Sequence, residues 1–345
     1  MTLPAEWHPQ AFVQLTWPHP NTDWAPILRE VTECYCQMAR EITLREPLLI
    51  VTPQPAQAKE ALALHGVNLQ DVSFFECDTN DTWARDHAFI TCLEGGRRVL
   101  HDFQFNGWGL KFAANHDNQI NRRLSESHTV EGRYACQLDF VLEGGSIESD
   151  GEGTLLTTAS CLMAPNRNQP LTQCEIEQRL RATLGCKRVL WLHHSRLAGD
   201  DTDGHIDTVA RFCNPETIAY VQCTDPADEH YAELQSMEAE LQAFTTASGQ
   251  PYRLLPLPMP APIYDPTDLD EAGNPQRLPA TYANFLILNS AVLMPTYGQP
   301  DTDRQAIERL EAAFPSRTVV GIDCRALIRQ HGSLHCCTMQ YPKVC

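Results

Sequence analysis

The chain has 345 residues, 43% of them hydrophobic, and its 26 lysines and arginines against 44 aspartates and glutamates leave a formal charge of −18. A field of that sign repels phosphate backbones and anionic lipid and concentrates cations, which argues against nucleic acid and membrane as partners and for a small cationic ligand. No segment reaches the roughly 20 apolar residues of a membrane span, and the opening Met1-Thr2-Leu3-Pro4-Ala5-Glu6-Trp7-His8 lacks the basic start and apolar run of a secretory leader.

In chain order, residues 11–17 read as a strand. Helical spacing of Ile27, Val31, Tyr35 and Met38 then predicts a helix over 26–43, followed by a short buried strand at 47–51. A strand pair over 87–105 turns at Glu94-Gly95-Gly96 and leads to a weaker helix at 118–127 and a strand at 137–142. The same order returns three times. A pair over 145–163, turning at Ser149-Asp150-Gly151-Glu152-Gly153, precedes a helix at 171–184 and a strand at 188–192. A pair over 205–223, turning at Asn214-Pro215-Glu216, precedes a helix at 230–247 and a strand at 252–257. A pair over 285–295, turning at Asn289, precedes a helix at 303–314 and a strand at 317–322. Residues 334–341 supply a last strand that can pair with 11–17 and so join the two chain ends.

Two strands, a helix and a strand thus recur five times at a mean interval of about 69 residues, the signature of a closed or radial array of supersecondary units. The competing architecture is an ordinary two-domain α/β protein with similar element counts. Fourteen cysteines, scattered without Cys-x-x-Cys pairs, read as reduced thiols in a cytoplasmic chain.

Polar clusters stand at the entrances of the strand pairs: Asn80-Asp81-Thr82-Trp83-Ala84-Arg85-Asp86-His87, Glu143-Gly144-Gly145-Ser146, Gly199 through Asp207, and Gly332-Ser333-Leu334-His335-Cys336-Cys337. In a radial array these edges converge on the axis and gather aspartates, a glutamate, a histidine and a cysteine in one pocket. Each has a plainer reading alone: Asp86 as an ion pair with Arg85, Glu143 as a turn carboxylate, the cysteines as inert buried thiols. Asp203-x-His205-x-Asp207 also matches the Asp-x-His-x-Asp element of manganese ureohydrolases, but a second aspartate-rich element to bridge two metals is missing. The signatures His-Glu-x-x-His, Gly-x-x-x-x-Gly-Lys and Gly-x-Ser-x-Gly are absent, which removes zincins, P-loop enzymes and α/β-hydrolases. A cysteine nucleophile remains. Carboxylates beside a thiol raise its pKa, so the grouping is chemically sensible when a cation arrives with the substrate, and a planar guanidinium fits two carboxylates in bidentate fashion.

These motifs resemble agmatine deiminases, of the guanidino-modifying pentein or α/β-propeller superfamily. The resemblance runs from Ala11-Phe12-Val13-Gln14-Leu15-Thr16-Trp17-Pro18 to His335-Cys336 and includes Phe105-Asn106-Gly107-Trp108-Gly109 and Leu142-Glu143-Gly144-Gly145. It implies a five-fold pseudosymmetric α/β propeller of ββαβ units around a central channel, with residues 1–345 as a single catalytic domain. It further implies Cys336 as nucleophile, His205 as proton carrier, Asp86 and Asp207 as the guanidinium clamp, and Glu143 as the residue that orients His205 and shares the guanidinium site. Trp83 and Trp108 would line the substrate, and Asp201 would meet its distal ammonium. Of the adjacent thiols, strand alternation lets only one face the pocket, and the family's glycine-rich turn followed by His-Cys selects Cys336.

No cofactor and no metal is expected, and the partner is a small guanidino substrate, with a homodimer left open. The chain departs from the family at Asp86-His87-Ala88-Phe89, where many members have Gly-Pro, and at Gly109-Leu110-Lys111, where plant-type members are glycine-rich. Both departures bear on how the distal end of the substrate is held. The alternatives are a peptidyl-arginine or other guanidino deiminase, a manganese ureohydrolase, and a non-catalytic propeller such as the superfamily's ribosome-binding translation factor.

Overall fold

Apolar spacing decides where this chain forms helices and which face each one buries. In the computed structural model, which describes residues 1–269 and 273–344, β1 (Gln10–Thr16) runs through α1 (Leu28–Thr43) to β2 (Leu48–Thr52). Val31, Tyr35, Met38 and Ile42 repeat at three- and four-residue intervals along α1, and all four are buried. All five residues of β2 are buried, as expected of a parallel strand covered on both faces. Two elements outside the sequence expectation follow: α2 (Pro55–Leu64), opened by a proline in its first turn, and β3 (Val72–Glu76), a parallel strand added beside β2.

The next units follow the expected order. They are β4 (Ile90–Glu94), β5 (Arg97–Gln104), α3 (Asp117–Glu126) and β6 (Arg133–Val141), then β7 (Ile147–Ser149), β8 (Thr154–Thr158), α4 (Gln173–Leu184) and β9 (Arg188–Leu192). Thr172 and Glu175 cap α4 reciprocally, and Gly185 ends it at φ 72°, in the left-handed region that glycine enters freely. The fourth unit is β10 (Ala210–Asn214), β11 (Thr217–Gln222), α5 (Tyr231–Ala243) and β12 (Arg253–Pro258). A small hairpin of β13 (Tyr264–Leu269) and β14 (Pro275–Arg277), also outside the expectation, precedes β15 (Leu286–Ile287), β16 (Ala291–Thr296), α6 (Pro300–Ala313) and β17 (Thr318–Asp323). The last strand, β18 (Thr338–Pro342), pairs antiparallel with β1 and joins the chain ends, with Leu15 opposite Thr338.

Five sheets therefore share one connectivity, a first strand antiparallel to a second that is itself parallel to a third beyond the helix. A contiguous apolar cluster containing Val13, Met38, Val221, Leu241, Val292 and Leu310 runs beneath several of them. Several element ends differ from expectation, among them the following three. The helix over 230–247 stops at Ala243, because Phe244 turns extended and Thr245 bridges to Pro251. The strand expected at 137–142 starts at Arg133. The strand expected from 334 starts at Thr338, because His335–Cys337 forms a single 3-10 turn.

That turn belongs to a set. Ala84–His87, Gly144–Ser146, Ile206–Thr208 and His335–Cys337 are short helical turns that each lead into the first strand of a unit. The turn at 84–87 packs against those at 144–146 and 335–337, and the turn at 144–146 packs against that at 206–208. Among the described residues no helix is long and apolar enough to cross a membrane.

Leu15 in β1 is wholly buried whereas Leu44 is 68% exposed. Leu15→Ala should therefore lower the unfolding free energy by about 2–5 kcal/mol, and Leu44→Ala by no more than about 0.5 kcal/mol. Denaturant titration followed by circular dichroism reads both, and equal losses would contradict this packing of the joined chain ends.

Candidate active site

The 3-10 turn before β18 carries two adjacent thiols, Cys336 and Cys337. Its backbone N–H groups at His335 and Cys336 donate to Asn284 Oδ1 at 2.8 and 3.3 Å, and the Cys336 Sγ lies 3.3 Å from Asn284 Nδ2 and 3.9 Å from Asp207 Oδ2. Cys337 is buried elsewhere, beside Tyr35 and Cys34. One thiol of the pair faces the cleft, as expected, but for another reason: the backbone here is a 3-10 turn, which rotates successive side chains by about 120°, and not an alternating strand.

Around this thiol, Asp207 and Glu143 are each held by one oxygen and Asp86 by both. Asp207 Oδ2 accepts from His335 Nδ1 at 2.7 Å while Oδ1 has no partner. Glu143 Oε1 accepts from Arg167 Nε at 2.8 Å while Oε2 has no partner. Asp86 Oδ2 accepts from the Trp108 indole N–H at 2.9 Å, and its Oδ1 accepts from the Gly145 amide at 3.0 Å and lies 3.6 Å from His205 Nδ1. Neither ring nitrogen of His205 meets a partner in hydrogen-bond geometry, although the Cys161 thiol stands close enough to raise the pKa of the ring. Asp86, His205 and Asp207 converge over Gly145, where a Cβ would stand 2.8, 2.6 and 3.2 Å from their Oδ1, Nδ1 and Oδ2 atoms.

The electrostatics follow from burial. Burial raises the Asp86 carboxyl, against the pull of His205 and with the push of Asp207 and Glu143. Burial alone would lower His205, but Asp86, Cys161 and Glu143 together raise it well above the usual histidine range. Burial also opposes ionisation of Asp207, yet the hydrogen bond and charge of His335 hold it below the usual carboxylate range. Burial, then Asp207 and Asp86, push the Cys336 thiol well up. These directions favour the protonated thiol at Cys336, the imidazolium at His205 and the carboxylate at Asp207, and an incoming cation would favour the thiolate. Further in, His335 Nε2 meets Glu6 Oε2 at 2.6 Å, Glu6 pairs with Arg211 at 3.0 Å and Arg85 at 3.5 Å, and Arg211 pairs closely with Glu148.

A cleft opens above the thiol, lined by Trp83, Asp86, Trp108, Cys336, Asp81 and Asp201. Trp108 at φ 53°, between Gly107 and Gly109 at positive φ, adopts the left-handed backbone that aims its indole N–H at Asp86. Burial pushes the carboxyls of Asp81 and Asp201 up to about 6. Asp203, which the Asp-x-His-x-Asp reading would make a metal ligand, is instead neutralised by Arg167 Nη1 at 2.6 Å and Lys111 Nζ at 2.8 Å.

Cys336, His205, Glu143, Asp86 and Asp207 are thus brought into one buried cluster, with Trp83, Trp108 and Asp201 on the cleft above it. Glu143 makes no hydrogen bond to His205; its engaged oxygen is held by Arg167. Asn284, His335, Glu6, Arg167 and Cys161 are neighbours that the motifs did not assign. Asn284 had a usable signal, since it stands just before β15 as the others stand before the first strands of their units. Glu6 and Arg167 had none, because the fold brings them in from segments without a motif.

The repeated units of a mixed α/β chain thus deliver a thiol, a histidine and carboxylates to one buried cluster. The chain belongs to the Porphyromonas-type peptidyl-arginine deiminase family, whose model matches residues 2–342. The agmatine deiminase of Pseudomonas fluorescens (strain SBW25) is 33% identical over 357 residues, covering 99% of this chain and 95% of that protein. Among solved structures, a Porphyromonas gingivalis protein provisionally named an arginine deiminase is 50% identical with a TM-score of 0.90, covering 99% of this chain and 98% of that one. A cysteine-to-serine variant of C. jejuni agmatine deiminase with substrate bound is 38% identical with a TM-score of 0.89, covering 99% of this chain and 96% of that one.

Gly145→Ala should depress turnover by about 10²-fold while leaving the circular dichroism spectrum intact, because the methyl group displaces three converging groups by a fraction of an ångström. Unchanged turnover in the folded variant would contradict this convergence.

Proposed function

We propose that this chain hydrolyses agmatine to N-carbamoylputrescine and ammonia through a covalent amidino-cysteine. The observation that carries the reading is the pair of unengaged carboxylate oxygens, Glu143 Oε2 and Asp207 Oδ1, in a fully buried cluster beside the Cys336 thiol. Buried acceptors of that kind call for a multidentate cationic donor, and a guanidinium supplies paired N–H groups in one plane.

The residues then divide the work. Asp86 and Asp207 clamp the guanidinium, Glu143 shares it, and the added positive charge favours loss of the Cys336 thiol proton to solvent, leaving a thiolate that attacks the guanidinium carbon. His205 gives its proton to the departing nitrogen, which leaves as ammonia. The neutral imidazole next takes a proton from water, whose oxygen adds to the same carbon, and the C–S bond breaks to release the ureido product and the thiolate. Trp83 and Trp108 flank the stem, and Asp201 meets the distal ammonium. No cofactor or metal takes part.

In this reading the five sheets are blades of one five-fold α/β propeller, a single domain closed where β1 meets β18, with the helical turns at its axis. The shared connectivity of the sheets and the mutual packing of the turns support it. A homodimer remains compatible, and sedimentation velocity tests it. The family's peptidyl-arginine name and the 50% identical neighbour make free or peptidyl arginine the second candidate substrate. The acidic cleft favours agmatine, whose far end is an ammonium where arginine carries a carboxylate. Incubating the purified chain with agmatine, arginine and a blocked arginine peptide, with assays for ureido product and ammonia, separates these readings. Urea as product would restore the ureohydrolase.

Cys336→Ala should abolish turnover and Cys337→Ala should keep most of it, and mass spectrometry of the acid-quenched chain should find the substrate adduct on the Cys336 peptide. An active Cys336→Ala variant would sink the covalent route.

Asp201→Asn should weaken agmatine binding by about 1–3 kcal/mol and barely affect a neutral alkylguanidine of equal length. Because Asp201 and Asp81 take up protons near pH 6, KM for agmatine should rise as pH falls through about 6, more steeply than KM for the neutral analogue. Parallel profiles for the two substrates would remove Asp201 from the ammonium pocket. Dialysis against a chelator should not lower the rate, and a loss reversed by manganese would overturn the metal-free scheme.

A further inference from the structure

Beside His205 lies a thiol for which the proposed reaction has no use. Cys161 sits in the helical turn Ala159–Leu162 after β8 and is fully buried. A ligand atom from each of Glu143, Cys161 and His205 lies within 4.8 Å of the other two. Glu143 Oε2 and both ring nitrogens of His205 are buried without a hydrogen-bond partner. Close packing around a histidine would ordinarily satisfy such atoms, whereas here three unpartnered atoms on two residues stand beside a thiol.

The donor set identifies what could fill it. A thiol, an imidazole and a carboxylate suit a borderline-soft divalent cation, while magnesium and calcium demand oxygen ligands and manganese binds such sets weakly. Zinc bonds of about 2.0–2.3 Å would draw together three ligand atoms that lie within 4.8 Å of one another, and three protein ligands leave a fourth position for water. Arg167, bound to the other oxygen of Glu143, would hold that carboxylate in place from outside. We propose that Glu143, Cys161 and His205 form a binding site for one zinc-class cation, and that loading it reversibly inhibits the chain by taking His205 out of proton transfer. Binding releases the thiol proton of Cys161 and the proton of His205 to solvent and involves no change of oxidation state. The cation site stands on the geometry, and only its effect on turnover rests on the proposed deiminase reading.

The full-length chain, freed of metal by a chelator, is titrated with Co²⁺ alone and watched for sulfur-to-cobalt charge-transfer absorbance, and in parallel with Zn²⁺ in the agmatine assay. The expected result is one cation per chain, a band that persists in Cys336→Ser and disappears in Cys161→Ser, and Zn²⁺ inhibition relieved by chelator. Cys161→Ser should weaken the cation by about tenfold or more. Should that variant fold poorly, X-ray absorption of the zinc-loaded wild type decides, with one sulfur ligand expected and a sulfur-free shell overturning the site. A band that vanishes in Cys336→Ser and survives in Cys161→Ser would place the cation on the other thiol and overturn it, as would no stoichiometric binding. Because the absorbance needs no turnover, a chain inactive on agmatine that still shows the Cys161-dependent band would fail the deiminase reading and keep the cation site.

Discussion

Burying several carboxylates in one place is the constraint on which the rest of this structure depends. Glu6, Asp86, Glu143, Glu148 and Asp207 are all buried, and an unpaired charge in such an interior would neutralise itself or destabilise the fold. The chain answers with buried partners on particular oxygens: Arg167 on Glu143, Arg211 on Glu6 and Glu148, and the His335 ring hydrogen-bonded to Asp207 and Glu6. The compensation is incomplete. Glu143 and Asp207 each keep one oxygen without a partner, so the inner network holds the carboxylates in place while the cluster stays short of positive charge where a substrate would enter.

Local backbone follows from that arrangement. Gly144 and Gly145 are glycines because the chain passes close to neighbouring groups: a Cβ at 144 would stand 2.1 Å from the Arg85 carbonyl, and one at 145 would invade the cluster. Trp108 accepts a left-handed backbone between two glycines, a strained position for a bulky residue, and in exchange its indole holds Asp86. On the cleft's rim, Asp203 binds both Arg167 and Lys111, and Lys111 also donates to the Asp201 carbonyl, so the loop bearing His205 and the loop bearing Trp108 are tied together.

Much of this was legible in the residue order. The five helices were readable because each has a single buried stripe, as Val31, Tyr35, Met38 and Ile42 show, and the strand pairs because glycine-rich or proline turns punctuate them. Helix α2 was not, since its apolar residues are mostly alanine and its two leucines stand two positions apart, Leu62 buried and Leu64 exposed, and β3 is half-exposed along its length. The hairpin of β13 and β14, with prolines and charged residues throughout, resembles a loop in composition. In the site, residues of compact motifs were found. Glu6 reaches His335 across 329 positions and Arg167 reaches Glu143 from a segment with no motif, contacts that exist only once the sheets are assembled.

The account turns on whether the half-engaged carboxylates bind a guanidinium before any chemistry. Titration calorimetry of agmatine into the Cys336→Ser chain, with and without Asp207→Asn, measures this directly. The account predicts one agmatine per chain, and a loss of affinity of about tenfold or more when Asp207 gives up its charge. Equal affinity in the two folded variants would contradict it.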